Sequence, residues 1–355
     1  MEIFSKRFTS MSGLPSVDVC VLVKNEAESI GKCLDSLLAN DYPSFRILIC
    51  DGGSTDGTLK IIQEYAKKHD NIIVHVQRSR GCGAARQELM ELVKADYVAW
   101  TDGGSILDKN WLRELVTPLL NSDEKVAGSG GYNYIISNNS VLAQCIGLSP
   151  LGVHPTEIAP GIAESLSGNN VCFKTKVLRQ NPWATFLLYG DDYEMCLRLR
   201  QKGYKLIVAP EARAYVRTQE KFRNFHNWIK RRVEGEVTLC ANLSYAPIKL
   251  EEFVSITRKT LLKRVAALGL LITLLVLLVL TPYKIPLAIM LVLSAMLYLT
   301  YLFKRRFKRH QLGEKVFKRT YLLFPLIDFL YIFLYSFYVW RYSKSFTVKS
   351  GESDF

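Results

Sequence analysis

The sequence predicts an α/β fold: a Rossmann-like, mostly parallel sheet with flanking helices, followed by C-terminal transmembrane helices. Two observations predict it. Short β-type runs alternate with helical stretches over the first 120 residues, and long uncharged apolar runs take over after residue 264. Strands separated by helices of that length need right-handed crossovers, which build a parallel sheet. Apolar runs of 17 to 20 residues approach the ~20 that cross a bilayer as helix.

The elements follow in order. "VDVCVLV" (17–23) leads to a helical pattern over Glu28–Leu38, and "FRILIC" (45–50) to one over Thr58–Lys68. "IIVHV" (72–76) leads to Ala84–Lys94, and "DYVAW" (96–100) to Asn110–Leu120. After residue 121 the chain becomes rich in Gly, Pro, Ser and Asn, as loops covering a site are. "GDDYEMCLRLRQKGYKLIVAP" then returns to a capped helix, stopped by Gly203, and a strand.

Residues 1–16 form an N-terminal extension without the apolar core of a signal peptide, and 17–240 the main domain. An amphipathic interfacial segment covers 241–264. "FRNFHNWIKRRVEG" and "KLEEFVSITRKTLLKR" carry apolar and basic faces at helical spacing. They suit surface helices leading onto a membrane, and equally ordinary amphipathic helices of the domain. The predicted transmembrane region, 265–340, holds spans at 265–281, 285–303 and 321–340, a basic loop at 304–320, and is followed by a tail at 341–355. Pro325 and Asp328 also suit a re-entrant or interfacial third segment.

Charge is unevenly distributed. Residues 258–355 hold 16 Lys/Arg against 4 Asp/Glu, leaving 30 against 29 in residues 1–257. The near-neutral main domain argues against nucleic acid as its partner. "TRKTLLKR" before the first span and "KRRFKRHQLGEKVFKR" after the second place the main domain and basic loop on the cytoplasmic side of a multi-pass cell-membrane protein. The loop also suits anionic headgroups. The eight cysteines form no Cys-x-x-Cys pair and read as reduced packing residues.

Three polar clusters, "KNEAES", "DGGSTDGT" and "TDGGS", fall at predicted strand ends, where open sheets collect ligands. Asp51 ends an apolar strand, Gly52 and Gly53 let backbone approach a ligand, and Asp56 with Thr58 opens a helix as a cap. A carboxylate in this position accepts hydrogen bonds from a base N–H, and Glu26 suits a ribose hydroxyl. "GCGAARQ" puts Arg86 in the first turn of a helix, close to where a phosphate sits. Asp102 stands at the tip of "DYVAW", the place for metal or phosphate chemistry, but Gly104 occupies the position of a second carboxylate. Asp108 reads most simply as the N-cap of the helix bearing Trp111.

Taken together, "KNEAES", "DGGSTDGT", "GCGAARQ", "TDGGSILDKNWL" and "GDDYEMCLRLRQKGYKL" resemble, in the correct order over roughly residues 17–210, the motifs of the family 2 glycosyltransferases of the GT-A fold. The resemblance implies a nucleotide-diphosphate sugar donor and Mg²⁺ or Mn²⁺ at the leaving pyrophosphate, with Asp102 as the metal residue. It implies that Asp192 is the base, with Asp191 supporting it in place of the family's Glu; adjacent at a helix start, both also read as capping residues. Glu26, Asp51, Arg86, Asp102 and Gly103 would bind the nucleotide sugar. "SLSGNNVCFKTKVL" resembles the segment beneath the acceptor, which offers Asn169 or Asn170, and Arg231 and Arg232 would hold a lipid phosphate. Mg²⁺ tolerates one protein carboxylate, because phosphates and waters complete its octahedron.

The family's processive members carry Gln-x-x-Arg-Trp after the base. This chain has "HNWIKRR" instead, so transfer of a single sugar is expected. The expected reaction is inverting transfer to a membrane-presented acceptor, a polyprenyl or dolichyl phosphate or a lipid-linked glycan. A non-catalytic membrane scaffold that keeps the fold, and a nucleotidyltransferase, are the competing classes.

Overall fold

A computed structural model describes residues 13–136, 140–148 and 156–242, several positions between 254 and 265, and residues 327 and 330–343. Ten strands form one sheet, with α-helices between most of them. The first half alternates strictly: β1 (Val17–Val23), α1 (Ile30–Leu38), β2 (Phe45–Asp51), α2 (Thr58–Ala66), β3 (Ile72–Val76), α3 (Cys82–Met90) and β4 (Tyr97–Asp102). Then come β5 (Ser105–Leu107), α4 (Trp111–Leu120), β6 (Val126–Ile136), α5 (Val141–Leu148), β7 (Thr156–Ala159) and β8 (Ile162–Ser165). The described series closes with β9 (Val171–Lys174), α6 (Thr175–Gln180), α7 (Asp191–Gln201), β10 (Lys205–Arg217) and α8 (Phe222–Asn242).

The strand order is β3-β2-β1-β4-β9-β6-β10-β8-β7, with β5 paired to β10. β3, β2, β1 and β4 are mutually parallel, and β6 is parallel to β10, while β9 runs antiparallel to both β4 and β6. The mostly parallel sheet expected from the alternation is therefore present. Its parallel half reads as near-continuous apolar runs because both faces are covered: Val17, Val19, Cys20 and Val21 are all buried. The register sets the site, since Leu22 lies opposite Asp102 and Val23 opposite Asp51. Asp51 and Asp102 thus end two strands separated by β1, about 10 Å apart at the usual strand spacing.

The stretch after residue 121 corrects the reading as loops. "VAGSGGYNYII" is β6, an eleven-residue strand near the middle of the sheet. Its glycines answer to packing: a Cβ on Gly128 would meet the Phe173 ring, one on Gly130 the Leu166 side chain, and one on Gly131 the Ala212 carbonyl. Glycine here marks close approach within a sheet, one of the uses a strand makes of it. The expected cap of α4 is also corrected. Asn110 precedes that helix, and it is the carbonyl of Asp108 that receives the Trp111 N–H (3.0 Å).

The chain divides into two compact units, Met1–Ile136 with Val153–Arg217, and Ser137–Gly152 with Thr218–Phe355. In the second, Phe225, Ile229, Val233 and Val237 form the stripe of α8 and pack with Ile146, Tyr331, Tyr338 and Val339. That stripe is covered by protein within its own unit. Among the described residues no helix is long and apolar enough to cross a membrane. Apart from Val265, the expected spans 265–281 and 285–303 lie outside the described residues, as does the basic loop 304–320. Of 321–340, residues 327 and 330–340 are described, and they are helical. All eight cysteines are free thiols, and six are buried.

Candidate active site

Asp51 is the last residue of β2 and fully buried. Its Oδ2 accepts the N–H groups of Gly53 (3.0 Å) and Ser54 (2.9 Å), and its Oδ1 is buried with no partner. Buried carboxylate oxygens are rarely left without a donor, so an orphan of this kind points to a ligand that brings one. Gly53 turns the chain with φ +75°, a conformation that disfavours any residue with a Cβ.

The "KNEAES" and "DGGSTDGT" loops are laced to each other. Asn25 takes a left-handed conformation (φ 55°), receives Thr55 N–H on its Oδ1 (2.9 Å) and gives its own N–H to Ser54 Oγ (2.9 Å). Glu26 N–H donates to Thr58 Oγ1 (2.8 Å) and Ala27 N–H to Asp56 Oδ2 (3.0 Å), while Asp56 Oδ1 accepts the Thr58 N–H (3.1 Å). Asp56 therefore does what a cap does and ties β1 to β2 as well. These bonds hold Glu26 over the ends of β1 and β4.

Asp102 ends β4 with its side chain accessible. Desolvation there pushes its carboxyl up to about 6; Arg86 opposes this, and Asp192, Asp191 and Glu26 add to it. Asp102, Arg86, Glu26, Asp191 and Asp192 thus act on one electrostatic neighbourhood. Gly103 is buried, its N–H is given to Leu22 O (2.9 Å), and a Cβ on it would collide with Val23. Its lack of a Cβ is therefore required by packing.

Asp191 and Asp192 open α7 behind Gly190 (φ 82°), where the positive end of the helix dipole favours acids. Asp192 Oδ2 accepts Gly168 N–H (2.9 Å) and Oδ1 accepts Tyr193 N–H (2.9 Å), so its rotamer is held from both sides. Asp191 is buried and ion-paired with Arg86 Nε (2.7 Å). Burial pushes the Asp191 carboxyl up, Arg86 pulls it back, and Asp192 pushes it up again. The Arg86 guanidinium lies 5.0 Å from the ring centroids of both Trp100 and Trp183, which meet each other edge to face at 5.4 Å. Sequence reading expected this arginine beside a phosphate. In the structure it is buried beneath the Asp191–Asp192 pair, with its Nε committed to Asp191 and its Nη1 buried with no hydrogen-bond partner.

The loop before α7 is clamped to the start of α3. Cys82 N–H donates to Leu188 O (3.2 Å), Trp183 N–H donates to Gln87 Oε1 (2.9 Å), and a Cβ on Gly83 would collide with Ala184 O. The "GCGAARQ" motif thus serves the acids of α7. Gly168 completes the arrangement, since a Cβ there would run into Arg86 and Asp192. Trp183 and Gly168 were not singled out in the sequence. The glycine stands inside a segment that was, whereas nothing local marks Trp183.

The acceptor residues fare differently. Asn170 is fully buried, accepts Trp111 Nε1–H (2.8 Å) and donates to Tyr132 O and Ala212 O (3.0 Å each). Its amide is spent on stitching the sheet, which corrects its expected contact with acceptor. Asn169, nearly buried, accepts from Asn133 Nδ2 (3.0 Å) and Ser167 Oγ (2.6 Å). Arg231 and Arg232 belong to α8 in the second unit, where Arg232 pairs with Glu236 (3.0 Å) and lies over Trp228.

Among the described residues one trio has metal-ligand spacing, Cys50, His75 and Glu88, within 4.8 Å of one another. Glu88 already accepts Arg78 N–H (2.9 Å) and Ser79 N–H (2.8 Å) and lies 2.6 Å from His75 Nε2. Burial pushes the Cys50 thiol up to about 12. The trio is a polar knot that fixes the β3–α3 turn.

Comparison with known proteins agrees with this geometry. The profile of "Glycosyl transferase family 2" matches residues 18–146, and that of "Glycosyl transferase family group 2" matches 97–350. The chain belongs to the family 2 glycosyltransferases. It is 27% identical over 208 residues to "Glycosyltransferase AglE" of Haloferax volcanii, covering 56% of this chain and 66% of that protein. It is 28% identical over 224 residues to the "Dolichyl N-acetyl-alpha-D-glucosaminyl phosphate 3-beta-D-2,3-diacetamido-2,3-dideoxy-beta-D-glucuronosyltransferase" of Methanococcus voltae, covering 59% and 69%. The chain thus spans about two thirds of these relatives. Among solved structures it shares its fold with a mannosyltransferase of Pyrobaculum calidifontis described "in complex with GDP-Man and Mn2+", with a TM-score of 0.56, 18% identity, and 94% and 90% of the two chains covered.

Proposed function

We propose that this glycosyltransferase moves a single sugar, with inversion, from a nucleotide-diphosphate sugar to a membrane-presented acceptor, a polyprenyl or dolichyl phosphate or a lipid-linked glycan. The observation that carries the reading is the gathering of Asp102, from the end of β4, and Asp192, from the start of α7, around one charged neighbourhood while Asp51 keeps an orphaned buried oxygen two strands away. Asp51 Oδ1 takes a base N–H. The diphosphate lies toward Asp102, which fits Mg²⁺ or Mn²⁺ through its hard, accessible oxygens. The Mn²⁺ beside GDP-mannose in a protein of the same fold supports this choice. When bound, the cation neutralises charge on the departing diphosphate.

Asp192 takes the proton of the acceptor oxygen as that oxygen bonds to the anomeric carbon and the bond to the diphosphate breaks, the electron pair leaving with the nucleoside diphosphate. Gly168 and Tyr193 N–H groups hold the Asp192 carboxylate for that transfer. Asp191 and Arg86 brace it from beneath. The lipid character of the acceptor draws on the dolichyl substrate in the name of the Methanococcus relative and on the apolar runs of residues 265–340, with the catalytic unit on the cytoplasmic face. Asn169 lines the acceptor side, and Arg231 with Arg232 meets lipid phosphate.

The experiment is incubation of purified membranes with radiolabelled nucleotide sugars, with and without Mg²⁺ or Mn²⁺. Label entering the lipid fraction, dependent on the metal, is the expected result. Incorporation of the nucleotide instead of the sugar would indicate a nucleotidyltransferase, and no transfer and no nucleotide binding would indicate a scaffold.

A further inference from the structure

The carboxylate that Gly104 lacks is supplied from elsewhere in the fold: we propose that Glu26, on the turn after β1, stands in as the second acidic ligand and holds the divalent cation together with Asp102. This rests on the donor-site reading above. A Cβ built on Gly104 would lie 3.4 Å from Glu26 Oε2 and 3.6 Å from Oε1. A side chain at 104 would therefore enter the space that the Glu26 carboxylate now fills. The register explains the meeting. β1 and β4 are parallel neighbours with Leu22 opposite Asp102, and Gly103 N–H donates to Leu22 O (2.9 Å), so the turn leaving β1 stands directly over 102–104.

Two further observations agree. Cys33 of α1 sets its Sγ 3.6 Å from Asp102 O, which ties the helix after the Glu26 turn to the end of β4. Glu26 is also braced as metal-binding carboxylates are. Its N–H is held by Thr58 (2.8 Å), its carbonyl receives Ser29 N–H (3.0 Å) and Ile30 N–H (2.8 Å), and Ser29 Oγ hydrogen-bonds one side-chain oxygen. Two carboxylates plus donor phosphate oxygens and water form an ordinary shell for Mg²⁺ or Mn²⁺. Ribose is thereby left to other groups, which replaces the earlier expectation for Glu26.

The test reads metal binding, not turnover. Mn²⁺ is titrated into the detergent-solubilised full chain in the presence of nucleoside diphosphate, with free Mn²⁺ followed by its paramagnetic resonance signal. Glu26→Gln, nearly isosteric, should weaken Mn²⁺ by ~10-fold or more. Adding Gly104→Asp to that variant should bring affinity back to within about 3-fold of the starting protein, because the carboxylate returns to the same space. Mn²⁺ affinity unchanged in Glu26→Gln, no recovery on adding Gly104→Asp, or no Mn²⁺ binding by the unsubstituted protein would each overturn the proposal. Loss of nucleoside binding without metal, with Mn²⁺ affinity intact, would also overturn it and return Glu26 to the ribose. Glu26-dependent Mn²⁺ binding in a protein that transfers no sugar would sink the functional reading and leave this one standing.

Discussion

Arg86→Met tests the buried post beneath the catalytic pair. Both partners of the Arg86–Asp191 bridge have side chains 6% and 5% exposed, and they meet at 2.7 Å. Removing the cation leaves a buried carboxylate without its partner, a loss of ~3–5 kcal/mol. The lost cation–π contacts with Trp100 and Trp183 add ~1–2 kcal/mol. At ~2–4 °C per kcal/mol for a unit of about 200 residues, the melting temperature should fall by roughly 8–28 °C. The deficit should depend on pH in a fixed direction. Without Arg86 the folded pKa of Asp191 rises further above its unfolded value, so the folded state favours the protonated acid. Stability of the variant then improves as pH falls through that raised pKa and worsens as pH rises. Urea unfolding at pH 5 and pH 7.5, beside the unsubstituted protein, measures this. Arg86→Met/Asp191→Leu removes both charges and should recover most of the loss. A loss under about 1 kcal/mol for Arg86→Met, or a double variant no better than the single, would show that Arg86 is not the post described and return it to the donor phosphates.

Other perturbations follow from the same geometry. Asp192→Asn removes the proton acceptor and should lower kcat by ~10²–10⁴-fold with donor affinity preserved, read by transfer kinetics beside nucleotide titration. Asp51→Ala should weaken donor binding by ~10–100-fold, as expected for a lost hydrogen bond to a charged group, measured by calorimetry. Gly131→Ala drives a methyl into the Ala212 carbonyl at the β6–β10 pairing and should cost ~1–3 kcal/mol, read in thermal melts. For Glu88, burial alone would raise the carboxyl, but donors from Arg78, His75 and Ser79 outweigh it and hold it at about 2. A depressed acid stabilises the fold above its unfolded pKa near 4.5 and loses that contribution as pH falls toward 2. Glu88→Gln should therefore destabilise by ~1–3 kcal/mol at pH 6 and by far less at pH 2.5.

The parallel half of the sheet was legible because its signal is local. Apolar runs of five to seven residues, each followed by a 3.6-period helix, mark β1 through β4, and Asp51 and Asp102 stand at strand ends as expected. The acids of α7 were legible too, through the Gly-Asp-Asp start and the Gly203 stop. β6 was not, because its glycines are selected by Phe173, Leu166 and the Ala212 carbonyl, all distant in sequence. The partners of Arg86 and Asn170 were not legible for a related reason. Polar residues in motifs read as ligand contacts, while only tertiary structure reveals that their partners are Asp191 at 2.7 Å, Trp111 at 2.8 Å and two backbone carbonyls. Glu26 beside Gly104 is the same lesson reversed. A motif that looks one carboxylate short along the chain has an acid standing next to it across two parallel strands.

The central claim is that one nucleotide sugar lies across the ends of β2, β1 and β4 with its anomeric carbon toward α7. A structure of the full chain with Mn²⁺ and a non-transferable nucleotide-sugar analogue tests it most directly. Anomalous Mn²⁺ density on Asp102, base density on the free oxygen of Asp51, and the sugar facing Asp192 is the expected outcome. Nucleotide density elsewhere, or a sugar turned away from Asp192, would contradict it.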